Sequence, residues 1–533
     1  MPEVFPTQHI LILVCLTSIA YLLLHVAYSL FKKHNAYIDP TEEDRSSYFL
    51  IFWLLAIAFV VRIMLSVEIV GNKTDIRCFS YWGNSIAENG YKAFYTTQNA
   101  DYPPGYMYVL GLMAKLSRRL QHFVTTANGD YDPVFVAFIK LPAIIADLAA
   151  SLLVFFTARK KYRFAPSYLL MAIVAFSPIM AYISAGWGQI DQVLTLFLAL
   201  TILAIVYGRP ILGGALYGIS ILVKPQALML GPIFAVAYLF YVFDPNFASV
   251  EDKTEKKTNS LVMRLLYTVI AVLIACAMIV VSAIPFANSE MSVLDIIIKK
   301  YLGTATSYKF ATVNAYNLYA LLGQNWARTS KIAFANLNYG QIGTIGMVVS
   351  IVFGIVFYCF GRKKNRGALF LASAFTLMSL FMLGHYMHER YMFPVLLLLL
   401  LAYIFYSDRR LIGLFFAFSV TGLINCLAAF YYCEPEYFKA GLYWDNKLLF
   451  WCSLINLVLF IFLIYVCVHI MLCGKNAPDV FADGGENENL KLKPGKQAAA
   501  TAVDAPASAD DRKETVKAKT QTVSAGTKSS GKK

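Results

Sequence analysis

Long apolar runs recur along almost the whole chain and constrain its fold more than any other feature. A helix needs about 20 apolar residues to cross the roughly 30 Å hydrocarbon layer of a bilayer, and neighbouring helices allow shorter crossings. The sequence therefore predicts an all-α polytopic membrane protein with about thirteen transmembrane helices. The candidate spans lie at about 9–31, 48–69, 134–157, 166–185, 190–207, 211–223, 227–243, 264–286, 340–360, 367–384, 392–406, 411–432 and 448–473.

The composition excludes several other classes of protein. Hydrophobic residues make up 58% of the 533 residues, more than small aqueous cores can bury, so a soluble enzyme and a disordered scaffold are excluded. The net charge of +14 would suggest nucleic acid in a soluble chain. Here most basic clusters flank apolar runs, which is typical of membrane topology signals, and we expect no nucleic-acid partner.

The basic clusters also predict an orientation. In the predicted topology three short loops on the same side of the membrane carry basic clusters: Arg159-Lys160-Lys161, Arg362-Lys363-Lys364 and Arg409-Arg410. Short loops rich in lysine and arginine are cytoplasmic. The amino terminus is then outside and the carboxyl terminus inside. This topology predicts outer segments at about 70–133, 287–339 and 433–447, the first containing an interfacial helix in YPPGYMYVLGLMAKL.

We divide the chain into three parts. Residues 1–47 hold the first span and a cytoplasmic loop, residues 48–473 form the transmembrane catalytic domain, and residues 474–533 form a polar tail predicted to be disordered. Lys224-Pro225-Gln226 separates either two full crossings or the arms of a broken hairpin, because proline ends a helix there. Of the nine cysteines, only Cys78 and Cys433 fall in outer segments, so a disulfide between them is compatible with this topology.

Polar side chains in five segments gather at the predicted outer ends of the spans. Carboxylates suit general-base catalysis, whereas an arginine with lysine and histidine at a membrane boundary suits the phosphate of a membrane lipid. These segments therefore predict a substrate site on the outer face. Its candidates are Asp75 as the catalytic residue and Asp101, Tyr102, Trp187, Gln189, Asp191, Lys224, Gln226, His388, Glu389 and Arg390 as substrate-binding residues.

Structural roles compete with these assignments. Asp75 and Asp191 could cap helices, Asp101 could shape a turn, and Trp187 could anchor the membrane interface. Asp147 lies well inside the third span, where a carboxylate must be paired or protonated, and we expect it to join helices. His385 and His388 lack the HExxH spacing of zinc enzymes, so no metal ligand is assigned. The sequence nevertheless leaves open whether a divalent metal is a cofactor.

These motifs together resemble a known family. The outer-segment Asp75, the YPPGY, GWGQID and KPQAL motifs and HERYMFP resemble the GT-C superfamily of membrane glycosyltransferases over about 48–432. Within it the chain is most similar to bacterial relatives of the mannosyltransferases that add the second mannose of glycosylphosphatidylinositol. The resemblance implies inverting transfer of a hexose, most simply mannose, from a polyprenyl-phosphate sugar donor on the extracytoplasmic face.

The resemblance also assigns roles. Asp75 matches the acidic residue of the family's first outer loop and would be the general base. The family often has paired acids there, whereas Thr74 and Ile76 flank Asp75, which leaves a two-carboxylate mechanism and metal dependence open. The acceptor would be a glycolipid, a glycan or a protein, and in a bacterium the chain would lie in the plasma membrane.

A polytopic transporter or lipid flippase is the alternative function. Transporters place charged residues near the bilayer midplane on discontinuous helices, often in two related halves. In this chain the polar residues lie at the outer edge and the halves show no evident similarity, which favours the enzyme. A non-catalytic subunit of a glycan-assembly complex is a third hypothesis.

Overall fold

The computed structural model describes residues 47–122, 132–245, 247, 260–303, 309–432 and 447–481, which belong to one compact unit. The predicted first span at 9–31, nearly all of the segment 433–447 with Cys433, and the tail beyond 481 lie outside the described residues. The elements up to residue 243 are α1 (Tyr48–Glu68), α2 (Lys73–Asn89), α3 (Phe94–Thr97), α4 (Pro104–Arg119), α5 (Pro133–Ala158), α6 (Phe164–Ala175), α7 (Pro178–Ala181), a π-helix (Tyr182–Trp187), α8 (Asp191–Val206), α9 (Pro210–Val223), a 3₁₀-helix (Pro225–Leu230) and α10 (Gly231–Phe243).

The second half of the described chain continues the helical bundle and adds four very short strands. β1 pairs in parallel with β4, and β2 pairs antiparallel with β3. The elements are α11 (Leu261–Ala283), a 3₁₀-helix (Ile284–Phe286), α12 (Val293–Ile297), a π-helix (Ile298–Gly303), β1 (Thr312–Val313), α13 (Leu318–Leu321), β2 (Ile332–Phe334), β3 (Leu337–Asn338), α14 (Tyr339–Gly361), α15 (Ala368–Leu383), β4 (Met387–His388), α16 (Phe393–Tyr406), α17 (Arg409–Tyr432), α18 (Lys447–Cys467) and a π-helix (Val468–Leu472).

The described chain is an all-α polytopic membrane protein. Seven of its helices are long and apolar enough to cross a membrane, or eight if the bent pair Phe164–Ala175 and Pro178–Trp187 counts as one span. Every predicted span within the described ranges overlaps an apolar helix, but the count of thirteen is not confirmed. Four further apolar helices, outside that count of seven or eight, have only 10 to 17 residues: Asp191–Val206, Pro210–Val223, Ala368–Leu383 and Phe393–Tyr406.

Two of the short helices form the centre of the bundle. Every residue of α16 except Phe405, and every residue of α15 except Leu383, is buried. Helices that are apolar on all sides are stable only when other helices surround them or lipid does. By contrast, α11 buries only Arg264, Ala271 and Ala283 and presents the rest of its apolar surface outward, as expected for a lipid-facing helix.

A buried ion pair joins the early helices. Arg62 of α1 donates from Nε to Asp147 Oδ2 of α5 at 2.9 Å, and Ser184 Oγ donates to the same oxygen. Arg62 Nη1 also donates to the carbonyl oxygen of Ala175 at 2.6 Å. The prediction that Asp147 joins helices is therefore confirmed, and Arg62 is the partner that a membrane carboxylate requires.

The first outer segment folds into helices that position the candidate site. The predicted interfacial helix is α4, whose buried face includes Tyr106, Met107 and Leu110. It packs against α2 and α5. The described residues 70–122 of this segment thus contribute a folded layer at one end of the bundle.

The basic clusters meet at the other end of the bundle. Lys161 Nζ donates to Ile404 O at 3.2 Å, and Lys364 Nζ donates to Met471 O at 2.9 Å. Residues 474–481, assigned to the tail by sequence, pack in this region: Asp479 accepts hydrogen bonds from Tyr162 and Tyr403 at 2.7 and 2.6 Å. The packed body of the chain therefore extends to residue 481.

Candidate functional site

The turn between the π-helix and α8 carries the GWGQID motif. Gly188 has φ +85°, and a Cβ on it would lie 2.5 Å from Ile76 Cδ1 and 3.0 Å from Lys140 Cε. Only glycine tolerates both that backbone conformation and that crowding. The tight turn places Trp187 and Gln189 against the start of α2, where Asn72 N donates to Trp187 O at 3.3 Å.

Lys140 of α5 donates hydrogen bonds to backbone carbonyls beside this turn. Its Nζ donates to Ile69 O at 2.5 Å, Ala185 O at 2.8 Å and Gly186 O at 3.2 Å. These carbonyls lie after the end of α1 and in the π-helix, where the regular helical bonds are interrupted. The ammonium group therefore satisfies carbonyls that irregular backbone would leave unpaired.

Asp75 lies in the first turn of α2. The cap of this helix is Asn72, whose side chain accepts from Thr74 N and Asp75 N at 3.1 and 3.2 Å. The capping role considered for Asp75 is thus filled by Asn72, and the Asp75 side chain is available for other contacts. Its Oδ2 accepts from Trp187 Nε1 at 2.7 Å and from Arg390 Nη1 at 2.9 Å.

Arg390 lies at the centre of the carboxylates. Besides Asp75, its Nη1 lies 3.4 Å from Glu389 Oε1, and its Nε lies 3.7 Å from Asp191 Oδ2. The guanidinium also lies over the Trp187 ring at 4.6 Å, a cation–π contact. Three predicted site segments are therefore linked through one side chain.

A second ion pair links α8 to the end of α9. Lys224 Nζ lies 2.6 Å from Asp191 Oδ1, and both side chains are buried. The chain leaves α9 at Pro225 and continues as a 3₁₀-helix, in which Gln226 donates from Nε2 to Tyr391 O at 3.3 Å. Asp191 is thus the first residue of α8 and also the partner of two cations.

Asp101 and Tyr102 reach the site from the loop before α4. Tyr102 Oη donates to Gln189 Oε1 at 3.4 Å, and the Tyr102 ring packs edge-on against Phe79 at 5.5 Å. Lys300 joins them from the second outer segment, because its Nζ donates to Ala100 O at 2.6 Å. Asp101 is close enough to Asp75, Lys224 and Lys300 for their charges to affect its pKa.

His388 and His385 take different positions. His388 is in β4, paired with Val313 of β1, and its ring lies 5.1 Å from that of Tyr391. His385 instead contacts Thr344 of α14, with its Nε2 3.2 Å from Thr344 Oγ1. The two histidines therefore do not form a ligand pair.

The titratable groups of the site differ in charge state. Burial raises the pKa of Asp75, but the charge of Arg390 and hydrogen bonds from Trp187, Gln189 and Arg390 outweigh burial and hold that pKa below its ordinary value. Burial raises the pKa values of Asp101 and Glu389. Burial and the charges of Arg390 and Lys224 lower the pKa of His388 to about 3, so it is neutral near pH 7.

The residues do not suit a divalent metal. Within the described ranges no three His, Cys, Asp or Glu side chains are grouped as metal ligands. The guanidinium of Arg390 lies between the carboxylates of Asp75, Asp191 and Glu389, where a shared cation would have to bind. We therefore assign no metal role to these carboxylates.

Two lysines that contact the candidate site, Lys140 and Lys300, were not predicted by the sequence analysis. Lys140 lies inside an apolar helix, and an intramembrane lysine is itself a signal of a structural or functional role. Lys299-Lys300 lies in a segment predicted to be outer, where the positive-inside rule disfavours basic residues. A basic pair that breaks the rule could have been marked as a candidate.

The fold and the site define an integral membrane protein with a charge-rich site at one end of its helices. Residues 89–300 match the model of the ALG6, ALG8 glycosyltransferase family. The match confirms the resemblance to GT-C membrane glycosyltransferases and gives the transporter or flippase alternative no support.

The match covers some site segments and not others. It includes Asp101, Trp187, Asp191 and Lys224 but neither Asp75 nor Arg390. The family description names no sugar, so the predicted likeness to mannosyltransferases is not confirmed. None of the curated proteins matches the chain.

Proposed function

We propose that the chain transfers a hexose from a polyprenyl-phosphate sugar to an acceptor hydroxyl at the site formed by Asp75, Asp191, Lys224 and Arg390. The observation that carries the proposal is the contact of Asp75 with both Trp187 and Arg390. It places a carboxylate, an aromatic ring and a guanidinium together at one end of a membrane bundle. These are the groups needed to activate a hydroxyl, to contact a sugar and to bind a phosphate.

Accessibility favours Asp75 as the general base. Its side chain is 26% exposed, whereas those of Asp191 and Glu389 are 0% and 6% exposed. An acceptor hydroxyl can therefore approach Asp75 but not the two buried carboxylates. The lowered pKa keeps Asp75 ionised at neutral pH, as a base must be.

Asp101 is the alternative base. Burial and the neighbouring Asp75 raise its pKa, and a base with a pKa nearer to the working pH accepts a proton more readily. Asp101 also lies in the YPPGY segment and is affected by the charges of Lys224 and Lys300. Exchanging each carboxylate for its amide separates the two assignments.

The cations of the site suit a phosphodiester. A polyprenyl-phosphate sugar carries one negative charge, and its leaving group is a stable phosphate anion that needs neutralising charge more than a proton. Arg390 Nε and Asp191 Oδ2 are buried and have no hydrogen-bond partner among the described residues. Arg390 Nε faces Asp191 Oδ2 at 3.7 Å without a hydrogen bond, and Lys224 pairs with the other oxygen of Asp191, so both cations lie close to where a donor phosphate would need neutralising charge.

Direct displacement by the acceptor requires one base and inverts the anomeric carbon. The acceptor hydroxyl attacks the anomeric carbon while Asp75 takes its proton, and the bond to the phosphate oxygen breaks. The electron pair leaves with the phosphate, next to the cations. We propose mannose as the first sugar to test, because the motifs resemble those of mannosyltransferases, and a glycolipid, glycan or protein as acceptor.

A donor panel tests the proposal. The purified full-length chain in nanodiscs is incubated with short-chain polyprenyl-phosphate mannose and glucose, and with the nucleotide sugars of both. We expect saturable binding of a lipid-linked sugar, and release of polyprenyl phosphate when a membrane lipid extract supplies the acceptor. Use of a nucleotide sugar in preference to every lipid-linked sugar would refute the donor assignment.

A further inference from the structure

A cavity lies at the opposite end of the bundle from the site. The first turns of α14, which begins at Tyr339, include Thr344 in contact with His385, and the helix ends at Gly361 beside this cavity. At 1.5 Å per residue its 23 residues separate the two places by about 35 Å. The cavity measures about 290 Å³ and is lined by Asp244, Phe247, Tyr358, Arg362, Lys363 and Arg366, among others.

Positive charge dominates the lining. Three of the lining residues are cations (Arg362, Lys363 and Arg366), and Asp244 is the one carboxylate among the described lining residues, so two positive charges are in excess. Asp244 Oδ2 accepts from Arg362 Nη1 at 2.6 Å. Among the described lining residues positive charge therefore predominates, which favours an anion over a cation as ligand.

Arg362 is held in place as a binding group. Its guanidinium stacks on the Phe240 ring at 3.6 Å, and Asp244 fixes one of its nitrogens. Its Nε is buried and has no hydrogen-bond partner in the part of the chain that the structure describes. A fixed guanidinium with a donor left over is suited to phosphate oxygens.

Apolar surface adjoins the charged cavity. Phe243 at the end of α10 is 69% exposed, and Phe360 at the end of α14 is 58% exposed. Both helices are long and apolar enough to span a membrane together with their neighbours, so these rings face lipid. A ligand here would meet cations at one end and hydrocarbon at the other.

We propose that this cavity binds the phosphate headgroup of an anionic membrane lipid. A basic cluster that only sets the orientation of the helices in the membrane needs positive charge, but it needs neither a cavity nor a fixed guanidinium. Basic pockets between membrane helices are suited to anionic headgroups, and the exposed rings of Phe243 and Phe360 suit the acyl chains. A free phosphate ion shares the headgroup's chemistry but would gain nothing from the apolar surface.

The test uses adjacent lysines as a matched pair. Lys363 lines the cavity, whereas the neighbouring Lys364 donates to Met471 O and Leu472 O and does not line it. Short-chain phosphatidic acid and phosphatidylcholine are titrated onto the purified full-length chain, and bound lipid is counted by native mass spectrometry. Inorganic phosphate is titrated as a separate arm.

We expect phosphatidic acid to bind more tightly than phosphatidylcholine. Lys363→Gln should weaken its binding about tenfold, the effect of losing one charged hydrogen bond, and Lys364→Gln should leave it within about twofold. If Lys363→Gln and Lys364→Gln weaken the binding of phosphatidic acid equally, the cavity is not the lipid-binding site. Inorganic phosphate binding as tightly as phosphatidic acid would overturn the lipid assignment.

Discussion

At the scale of single residues, Asp75 and Arg390 form the ion pair on which the proposed mechanism rests. Asp75 is the accessible carboxylate of the cluster, and Arg390 sets its charge state while also contacting Glu389 and Trp187. In the proposed mechanism the same guanidinium holds the base ionised and contacts the donor phosphate. Its substitution should affect both steps.

The first prediction concerns the identity of the base. Asp75→Asn keeps the size of the side chain but removes its basicity, so transfer should fall by about 10²- to 10⁴-fold. Donor binding, measured separately with the short-chain donor, should persist. Asp101→Asn is the matched control and should reduce transfer much less. An inactive Asp101→Asn variant beside an active Asp75→Asn variant would assign the base to Asp101.

The second prediction concerns pH dependence. Asp75 must be deprotonated to act, and Arg390 holds its pKa below the ordinary value, so wild-type activity should persist into the acid range. Arg390→Gln removes that charge and raises the pKa of Asp75. The acid limb of the pH profile of kcat/KM should therefore move to higher pH.

Arg390→Lys is the control for this shift. Lysine retains the positive charge but not the planar fork, so the acid limb should move less, while KM for the donor should still rise. An acid limb that stays in place in Arg390→Gln would show that Asp75 is not the group observed in the profile.

At the scale of elements, the site depends on irregular backbone. The π-helix ends at Trp187, Gly188 turns the chain, and α8 begins at Asp191. Lys140 donates to Ala185 O in the π-helix just before this turn and to Ile69 O after the end of α1. Interrupted helices place backbone and side chains where a regular helix would bury them, and neighbouring helices must supply the missing hydrogen bonds.

The third prediction uses two glycines with positive φ. Gly188 is in the left-handed region at φ +85°, where alanine costs roughly 1–2 kcal/mol of backbone strain, and Gly90, at φ +75° and ψ −165°, is in a region that costs alanine roughly 1–3 kcal/mol. At Gly188 a Cβ also meets Ile76 and Lys140, whereas at Gly90 nothing lies within 4 Å. Gly188→Ala should abolish most transfer activity, and Gly90→Ala should only lower the melting temperature. Equal activity of both variants would contradict the role of this turn.

At the scale of the whole molecule, charge is divided between the two ends of the bundle. The candidate site lies at one end, and the clusters around Lys161, Lys364 and Arg410 meet at the other. The positive-inside rule predicts that the basic end is cytoplasmic. The site would then face the compartment in which lipid-linked sugars, not nucleotide sugars, are the donors.

The fourth prediction tests this orientation. Single cysteines are introduced into a cysteine-free background at the exposed positions Asn89 and Lys309, on the site end, and Lys160 and Lys363, on the basic end. The first two should react with an impermeant thiol reagent in intact cells, and the last two only after permeabilisation. The reverse pattern would place the site in the cytoplasm.

A feature of the fold or the site could be predicted from the sequence when it depends on residues that are close together along the chain. Apolar runs are local signals, so the membrane class and the positions of the described helices could be predicted from the sequence. The motifs around Asp75, Trp187, Lys224 and Arg390 also lie in contiguous stretches. The burial of short helices such as α15 and α16 could not be predicted, because a helix that is apolar on all sides is equally compatible with lipid and with protein neighbours.

The sequence by itself determined that this protein is a membrane bundle, that its polar motifs lie at helix ends, and that Asp147 needs a partner. Only the tertiary structure decided that the partner is Arg62, that Arg390 joins the carboxylates, and that Asp75 is more exposed than Asp191 and Glu389. Hydropathy acts along the chain, whereas an ion pair between residues 75 and 390 depends on packing across more than 300 residues. The pairing of buried charges is therefore a property of the assembled bundle.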